Sequence, residues 1–242
     1  MQYMLIHVQP GEVAAEQGQS WRHDASLTAW LEETVPTGVG LQGSRLRSDP
    51  DATTVRSRRG ELIVTDGPFA ETKEQLAGYD VLECADIEEA IGWASKHPTL
   101  RSGAIEVRAL LGDPQSARLP EQREGTMRYV ALVCLGEDFH MSPEDQAEMG
   151  PATDAWVNEM DGRRARLFGS QLEGPERART VRRKGAQVMV TDGPFAETKE
   201  QIAGFDVLEC ADLDEALEVA AKHPMAKFGM LEVRPFWDPD EP

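Results

Sequence analysis

The chain of 242 residues is poor in cysteine, in basic charge and in long apolar runs. Its three cysteines, Cys84, Cys134 and Cys210, are too few and too scattered for a disulfide framework or a zinc site. Lys and Arg number 25 against 43 Asp and Glu, a formal charge of −18. That deficit argues against direct nucleic-acid binding and against attachment to anionic membranes, since neutralising phosphates needs clustered Lys and Arg. No apolar run approaches the roughly 18 residues of a transmembrane helix. The opening MQYMLIHVQPGE has no basic stretch and no small-residue cleavage site, so no signal peptide is expected and the cytoplasm is the expected location. No dinucleotide fingerprint, P-loop, zinc spacing or nucleophile elbow occurs, so neither a cofactor nor a metal is expected. The hydrophobic content of 40% is that of an ordinary globular protein.

What the chain does have is a second copy of itself. TDGPFAETKEQ occurs at 65–75 and again at 191–201, an offset of 126 residues. The same offset carries DVLECAD, Lys96-His97-Pro98, Glu106-Val107-Arg108 and Trp30 onto their second copies without a gap. Between Val64 and Pro98 roughly three quarters of positions are identical to their counterparts. Two copies of this length are a domain duplication, not a solenoid. We expect domains at 1–111 and 127–238, joined by a polar, proline-containing linker at 112–126.

Each half reads alike. Nearly continuous apolar runs open both halves, as a strand buried on both faces would. A helix follows, in which Leu27, Trp30, Leu31 and Val35 keep the helical period. In the second half Ser142-Pro143-Glu144-Asp145 starts it, and Met149-Gly150-Pro151 is expected to interrupt it. Then come a short strand, a hairpin closed by Asp-Gly-Pro, a strand over Tyr79–Cys84, a helix capped by Asp86, and a last strand over Ala104–Leu110. With the hairpin set aside as an insertion, the order is β-α-β-β-α-β, the split βαβ or ferredoxin-like arrangement. Such a sheet carries helices on one face only, so its other face needs a cover. Two tethered copies can cover each other. The expected fold is therefore α+β, with two ferredoxin-like domains packed as an intramolecular pseudo-two-fold dimeric α/β barrel.

TDGPFAETKEQ closely resembles the DGPF motif of the YCII-related domain family, and the resemblance runs through both halves from MQYMLIHV and MRYVALVC to the EVR near each end. It implies the same ferredoxin-like fold and barrel pairing. It also implies an enzymatic role resting on a histidine and an aspartate. A relative is a dehydrochlorinase acting on a chlorinated hydroxyquinone, and muconolactone isomerases share the fold. Other members are encoded beside alternative sigma factors, which implies association with a sigma factor. Many members carry a histidine in the first helix where this chain has Leu27 and Thr153, neither of which takes up a proton at neutral pH. That departure favours a small-molecule-binding or regulatory module with a degenerate active site. The alternative is a cofactor-independent lyase, isomerase or dehydrochlorinase-like enzyme acting on a small acidic or phenolic substrate.

Asp66 and Asp192, each in an Asp-Gly-Pro corner, are the candidate catalytic carboxylates, although Asp is also a good turn former. Lys73 and Lys199 follow the corners and could orient an anionic ligand; Phe69 and Phe195 read as core plugs. The arginines near the hairpins read as guards against edge pairing, or as a funnel for an anion. His97 and His223 read as caps on helix ends. Tyr79, His7 and His23 have Phe205, Val133 and Met149 as counterparts, so a site is expected chiefly in the first half with these three as auxiliaries. The expected partners are a small anionic or phenolic ligand, a sigma factor, and a second copy of the chain as a homodimer.

Overall fold

The computed structural model describes residues 1–11, 24–70, 72–112 and 117–238. The first half contains β1 (Gln2–Pro10), α1 (Ala25–Thr34), β2 (Gly40–Arg45), β3 (Thr53–Arg58), β4 (Glu61–Asp66), β5 (Glu74–Glu83), α2 (Ile87–Lys96) and β6 (Ala104–Ala109). The second repeats the order with β7 (Met127–Gly136), α3 (Pro143–Gly162), β8 (Arg166–Gln171), β9 (Arg179–Lys184), β10 (Gln187–Asp192), β11 (Glu200–Cys210), α4 (Leu213–Lys222) and β12 (Met230–Pro235). Within each half the four main strands lie in the antiparallel ferredoxin-like order, β6-β1-β5-β2 and β12-β7-β11-β8.

Local sequence explains the helix ends. Asp86 accepts from the Glu89 amide at 3.0 Å while Glu89 reaches back to the Ala85 amide at 2.7 Å; Asp212 and Glu215 repeat the arrangement at 2.9 and 2.8 Å. Ser142 caps α3 as expected, accepting from the Asp145 amide at 3.1 Å. The break expected at Met149-Gly150-Pro151 does not occur: α3 runs on through Pro151. The carbonyl that loses a partner there, on Ala147, belongs to a solvent-exposed residue, so its hydrogen-bonding capacity is not buried and the proline is tolerated.

The hairpins are not insertions. Strand β3 pairs with β12, and β9 pairs with β6, so each half lends its hairpin to the other half's sheet. The result is two six-stranded sheets, β10-β9-β6-β1-β5-β2 and β4-β3-β12-β7-β11-β8. Their apolar faces meet in one core in which Met4, Ile6 and Val81 pack with Val130, Leu132 and Val207. The opposite faces are covered by helices, with Trp30 and Ala90 on one sheet and Trp156 and Ala216 on the other. Isolated bridges Leu46–Phe236 and Leu110–Leu172 link the halves at the margins. The assembly is thus an open, pseudo-two-fold α+β barrel of facing sheets. All three cysteines are buried, and burial pushes Cys84 and Cys210 up to about 12, which leaves them unreactive thiols. Among the described residues no helix is long and apolar enough to cross a membrane.

The repeated motifs lock this exchange. The amide of Phe69, in the first DGPF corner, donates to Glu232 Oε2 at 2.9 Å, and that of Phe195 donates to Glu106 Oε2 at 3.0 Å. Each glutamate belongs to the other half's Glu-Val-Arg. Both phenylalanines pack against the intersheet core, as plugs. The arginines near the second hairpin also tie it across: Arg182 pairs with Glu74, and Arg183 donates to the Ser95 carbonyl at 2.7 Å.

Candidate functional site

The carboxylates singled out in the Asp-Gly-Pro corners line neither of the two cavities described below. Asp66 is exposed at the end of β4, and Asp192 is exposed at the end of β10, where it faces Arg179 at 3.2 Å. Lys73 and Lys199 are exposed and line neither cavity described below. His23 lies outside the described residues. Tyr79 is buried between the sheets, and its hydroxyl is committed to Gln42 Oε1 at 2.9 Å. Of the expected first-half auxiliaries, His7 is the one that stands in a polar cluster.

That cluster forms on the helix-covered face of the first sheet. Opposite His7 the β1–β5 register slips at Ala77, a bulge that the second half repeats at Ala203. Gly78 permits the close approach: a Cβ there would lie 2.7 Å from the Ser44 carbonyl oxygen. Two residues further along β5, Asp80 points the same way as His7. Its Oδ1 lies over Gly43 of β2, where a Cβ would come within 1.9 Å of it. His97 arrives from the end of α2. Pro98 forbids another helical turn, the backbone turns extended, and the imidazole drops onto the sheet.

The three side chains converge. His7 Nε2 lies 3.0 Å from Asp80 Oδ2, His97 Nε2 lies 3.6 Å from the same oxygen, and the imidazole centroids are 4.3 Å apart. None of these three buried atoms has an aligned hydrogen bond, so the contacts are electrostatic and leave polar capacity unused. Trp30 stands edge-on to His97 at 4.7 Å and is pinned by its own bond to the Trp93 carbonyl at 3.1 Å. Burial drives Asp80 toward the neutral acid, but His7 and His97 outweigh it and hold the carboxyl below its usual range. Burial, followed by the neighbouring His7, holds His97 down to about 3, so it is neutral at physiological pH.

The tautomer of His97 follows from its other nitrogen. The Thr99 amide donates to Nδ1 at 3.2 Å, so the ring proton sits on Nε2 and faces Asp80. His97 is therefore no donor to the last carbonyls of α2; it caps the turn that follows. The same fact bears on metals. His7, Asp80 and His97 can bring three ligand atoms within 4.8 Å of one another. A ligating histidine normally donates through its second nitrogen, and His97 accepts there, so the set suits a proton relay better than a metal ion.

A cavity of about 170 Å³ opens over the cluster, walled by Gln9, Leu27, Leu31 and Thr99. Leu31, read from its period as a core residue, is 41% exposed because it faces this cavity's side of the helix. Arg45 stands at the rim with its guanidinium carbon 5.0 Å from the centre of the Trp237 ring. Trp237 comes from the other half, so the duplication completes the wall.

The second half carries the same frame with different chemistry. Asp206, His223 and Trp156 occupy the equivalent places, with His223 Nε2 3.6 Å from Asp206 Oδ2. Val133 replaces His7, and Arg166 stands where the first half has Gly40. Arg166 Nε donates to Asp206 Oδ1 at 2.7 Å and closes the carboxylate into an ion pair.

Asp80 was invisible as a candidate site residue in the sequence, where it reads as one letter of a repeated strand motif. The signal available was an acidic residue, present in both copies, inside an otherwise apolar strand. Gly43→Ala is expected to displace the Asp80 carboxylate and to cost about 1–3 kcal/mol, as overpacking does, in urea unfolding. An unchanged midpoint would show that the carboxylate has room to move.

The family model for the YCII-related domain matches residues 1–112 and again residues 127–239. An uncharacterized protein of Rhizobium meliloti (strain 1021) is 45% identical over 86 residues, which are 35% of this chain and 69% of that protein. Among solved structures, one provisionally described as a chlorite dismutase is 10% identical, with a TM-score of 0.48 over 98% of this chain and 95% of that one. Another, provisionally described as a monooxygenase of Fusobacterium nucleatum subsp. nucleatum, is 10% identical, with a TM-score of 0.42 over 97% and 92%.

Proposed function

Because the chain belongs to the YCII-related family through both of its halves, one ancestral site is to be sought at the same place in each, and we propose that only the first half keeps it as an acid/base centre. In this reading the protein is a cofactor-independent enzyme of the lyase or isomerase type, acting on a small acidic or phenolic molecule. The observation that carries it is the 3.0 Å approach of His7 to an ionised, buried Asp80 under a cavity. Absence of the helix-borne histidine at Leu27 is met by imidazoles from β1 and from the end of α2. The proposed carboxylate is Asp80 in place of Asp66.

The roles follow from the geometry. His7 accepts a proton from the substrate and returns it, and Asp80 orients the ring and stabilises the imidazolium. His97, neutral and carrying its proton on Nε2, faces the same oxygen and keeps Asp80 from needing a proton of its own. Arg45 sets a positive charge at the rim for an anionic group, while Leu27 and Leu31 receive an apolar body. Proton abstraction and return at two atoms of one substrate is an isomerisation; return to a departing group is an elimination.

Phenylpyruvate, an aromatic carboxylate that ketonises and enolises, is a suitable probe. The full chain is expected to accelerate its tautomerisation, followed by ultraviolet absorbance. His7→Gln is expected to lower the rate at least 100-fold, and Asp66→Asn to leave it within two-fold, since general acid/base groups commonly contribute 10²–10⁴. Equal activity of His7→Gln and the wild type, or loss on Asp66→Asn, would return the site to the Asp-Gly-Pro corner.

A further inference from the structure

The second half holds a cavity of about 570 Å³ at the place equivalent to the first-half site. Its wall is chemically different in a consistent direction. Across the offset of 126, His7 becomes Val133, Gln9 becomes Leu135 and Thr99 becomes Met225, three polar groups exchanged for apolar ones. Two exchanges run in the other sense, Leu27 to Thr153 on the helix above and Gly40 to Arg166. Arg166 meanwhile neutralises Asp206 at 2.7 Å, removing the one free negative charge the floor would otherwise present. His223 is held neutral by burial. The wall gained apolar surface and lost reactive charge, yet remained a cavity.

Loss of function alone does not predict that outcome. An unfilled pocket leaves apolar wall exposed to water, so a site without use is expected to fill with larger side chains. Here the helix α3 and the turn after α4 bring Met149 and Met225 to the wall, and Met141 joins them from the preceding loop. Methionine is flexible and polarisable, and adapts to irregular apolar ligands. Trp156 forms a rigid side of the same wall, its indole nitrogen bound to the Val219 carbonyl at 3.2 Å. A volume of several hundred Å³ lined by such groups is the size and character of small-molecule sites.

We propose that the second half is a separate binding site for an uncharged, largely apolar molecule, aromatic or branched, distinct in ligand class from the anionic site of the first half. The duplication has then divided the ancestral pocket into one that does proton chemistry and one that binds without reacting. The proposal does not depend on the reaction suggested for the first half, because its ligand is neutral and its walls share no side chain with His7 or Asp80.

The test uses the full chain and N-phenyl-1-naphthylamine, a neutral fluorescent probe. Its fluorescence is expected to rise saturably with one probe bound per chain. Thr153→Trp, a filling substitution on the half-buried face of α3, is expected to weaken binding at least ten-fold. His7→Gln is expected to leave binding within two-fold. In chain labelled at the methionine methyl carbons, the Met149 and Met225 resonances should shift on titration and that of Met4, between the sheets, should not. Absence of saturable binding, or binding unaffected by Thr153→Trp, or lost with His7→Gln, overturns the proposal. Failure of the phenylpyruvate assay with success here would sink the catalytic reading alone.

Discussion

Replacing Glu106 with alanine is expected to cost about 3–5 kcal/mol in urea unfolding, the usual consequence of leaving a buried charge without its partner. Glu106 is 2% exposed, and Arg108, 1% exposed, donates to it at 2.9 Å. The other bonds from Arg108 go to carbonyls, of Glu173 at 2.7 Å and Ile202 at 2.9 Å, which carry no full charge. The same substitution strands the Phe195 amide and so loosens the exchanged hairpin. Glu232→Ala is the informative comparison. Its partner Arg234 keeps a second carboxylate, Asp49, at 2.7 Å, for which the first-half arginine has Pro175 at the equivalent place. The Glu232 substitution is therefore expected to cost less than the Glu106 one. Burial pushes the Glu232 carboxyl above its usual range, against the pull of Arg234, which lowers its worth further. Equal losses, or a larger loss at Glu232, would mean that Asp49 contributes nothing to holding Arg234.

Mild acid is expected to destabilise the fold through its buried histidines, well before the carboxylates titrate. His97 is 3% exposed and holds its proton affinity down to about 3, whereas an unfolded histidine binds a proton below about 6.5. Between those values the unfolded chain is protonated and the native one is not, so stability falls as pH falls from about 6.5 toward about 3. The limiting slope is about 1.4 kcal/mol per pH unit for each such histidine. His97 alone then removes about 2 kcal/mol between pH 7 and pH 5. His223, shifted the same way by burial, adds to it. Asp80, shifted below its ordinary value, adds acid sensitivity of the same sign in a lower window, below the unfolded carboxylate range. The measurement is the urea midpoint at pH 7 and pH 5 for the wild type and His97→Gln. The variant should show a smaller drop by about 2 kcal/mol. A drop as large as the wild type's would assign the acid sensitivity elsewhere.

The repeat was written in the amino-acid sequence, and with it the duplication, the ferredoxin-like unit, the helix caps at Asp86 and Ser142, and the need for one sheet to cover the other. These are local or periodic properties, set by residues a few positions apart, so they survive reading along one chain. The expectation of a site chiefly in the first half rests on Tyr79, His7, Trp93 and His23 against Phe205, Val133, Val219 and Met149. Of these, His7 joins the candidate cluster, Tyr79 is committed to Gln42, and His23 lies outside the described residues. The partner of each hairpin was beyond such reading. DGPFAETKEQ is the same string in both copies, so no local feature can say whether β3 joins its own sheet or the other one. That choice belongs to long-range contacts: the Phe69 amide on Glu232 and the Phe195 amide on Glu106, across 163 and 89 residues. The backbone of this repeated segment joins the halves, and among the described residues it lines neither of the two cavities described above. The candidate cluster was hidden for a related reason. His7, Asp80 and His97 sit on a first strand, a third core strand and a helix end. They meet because a β-bulge, a glycine beneath a carboxylate and a proline after a helix aim three side chains at one point, and only tertiary packing decides that the point lies under a cavity.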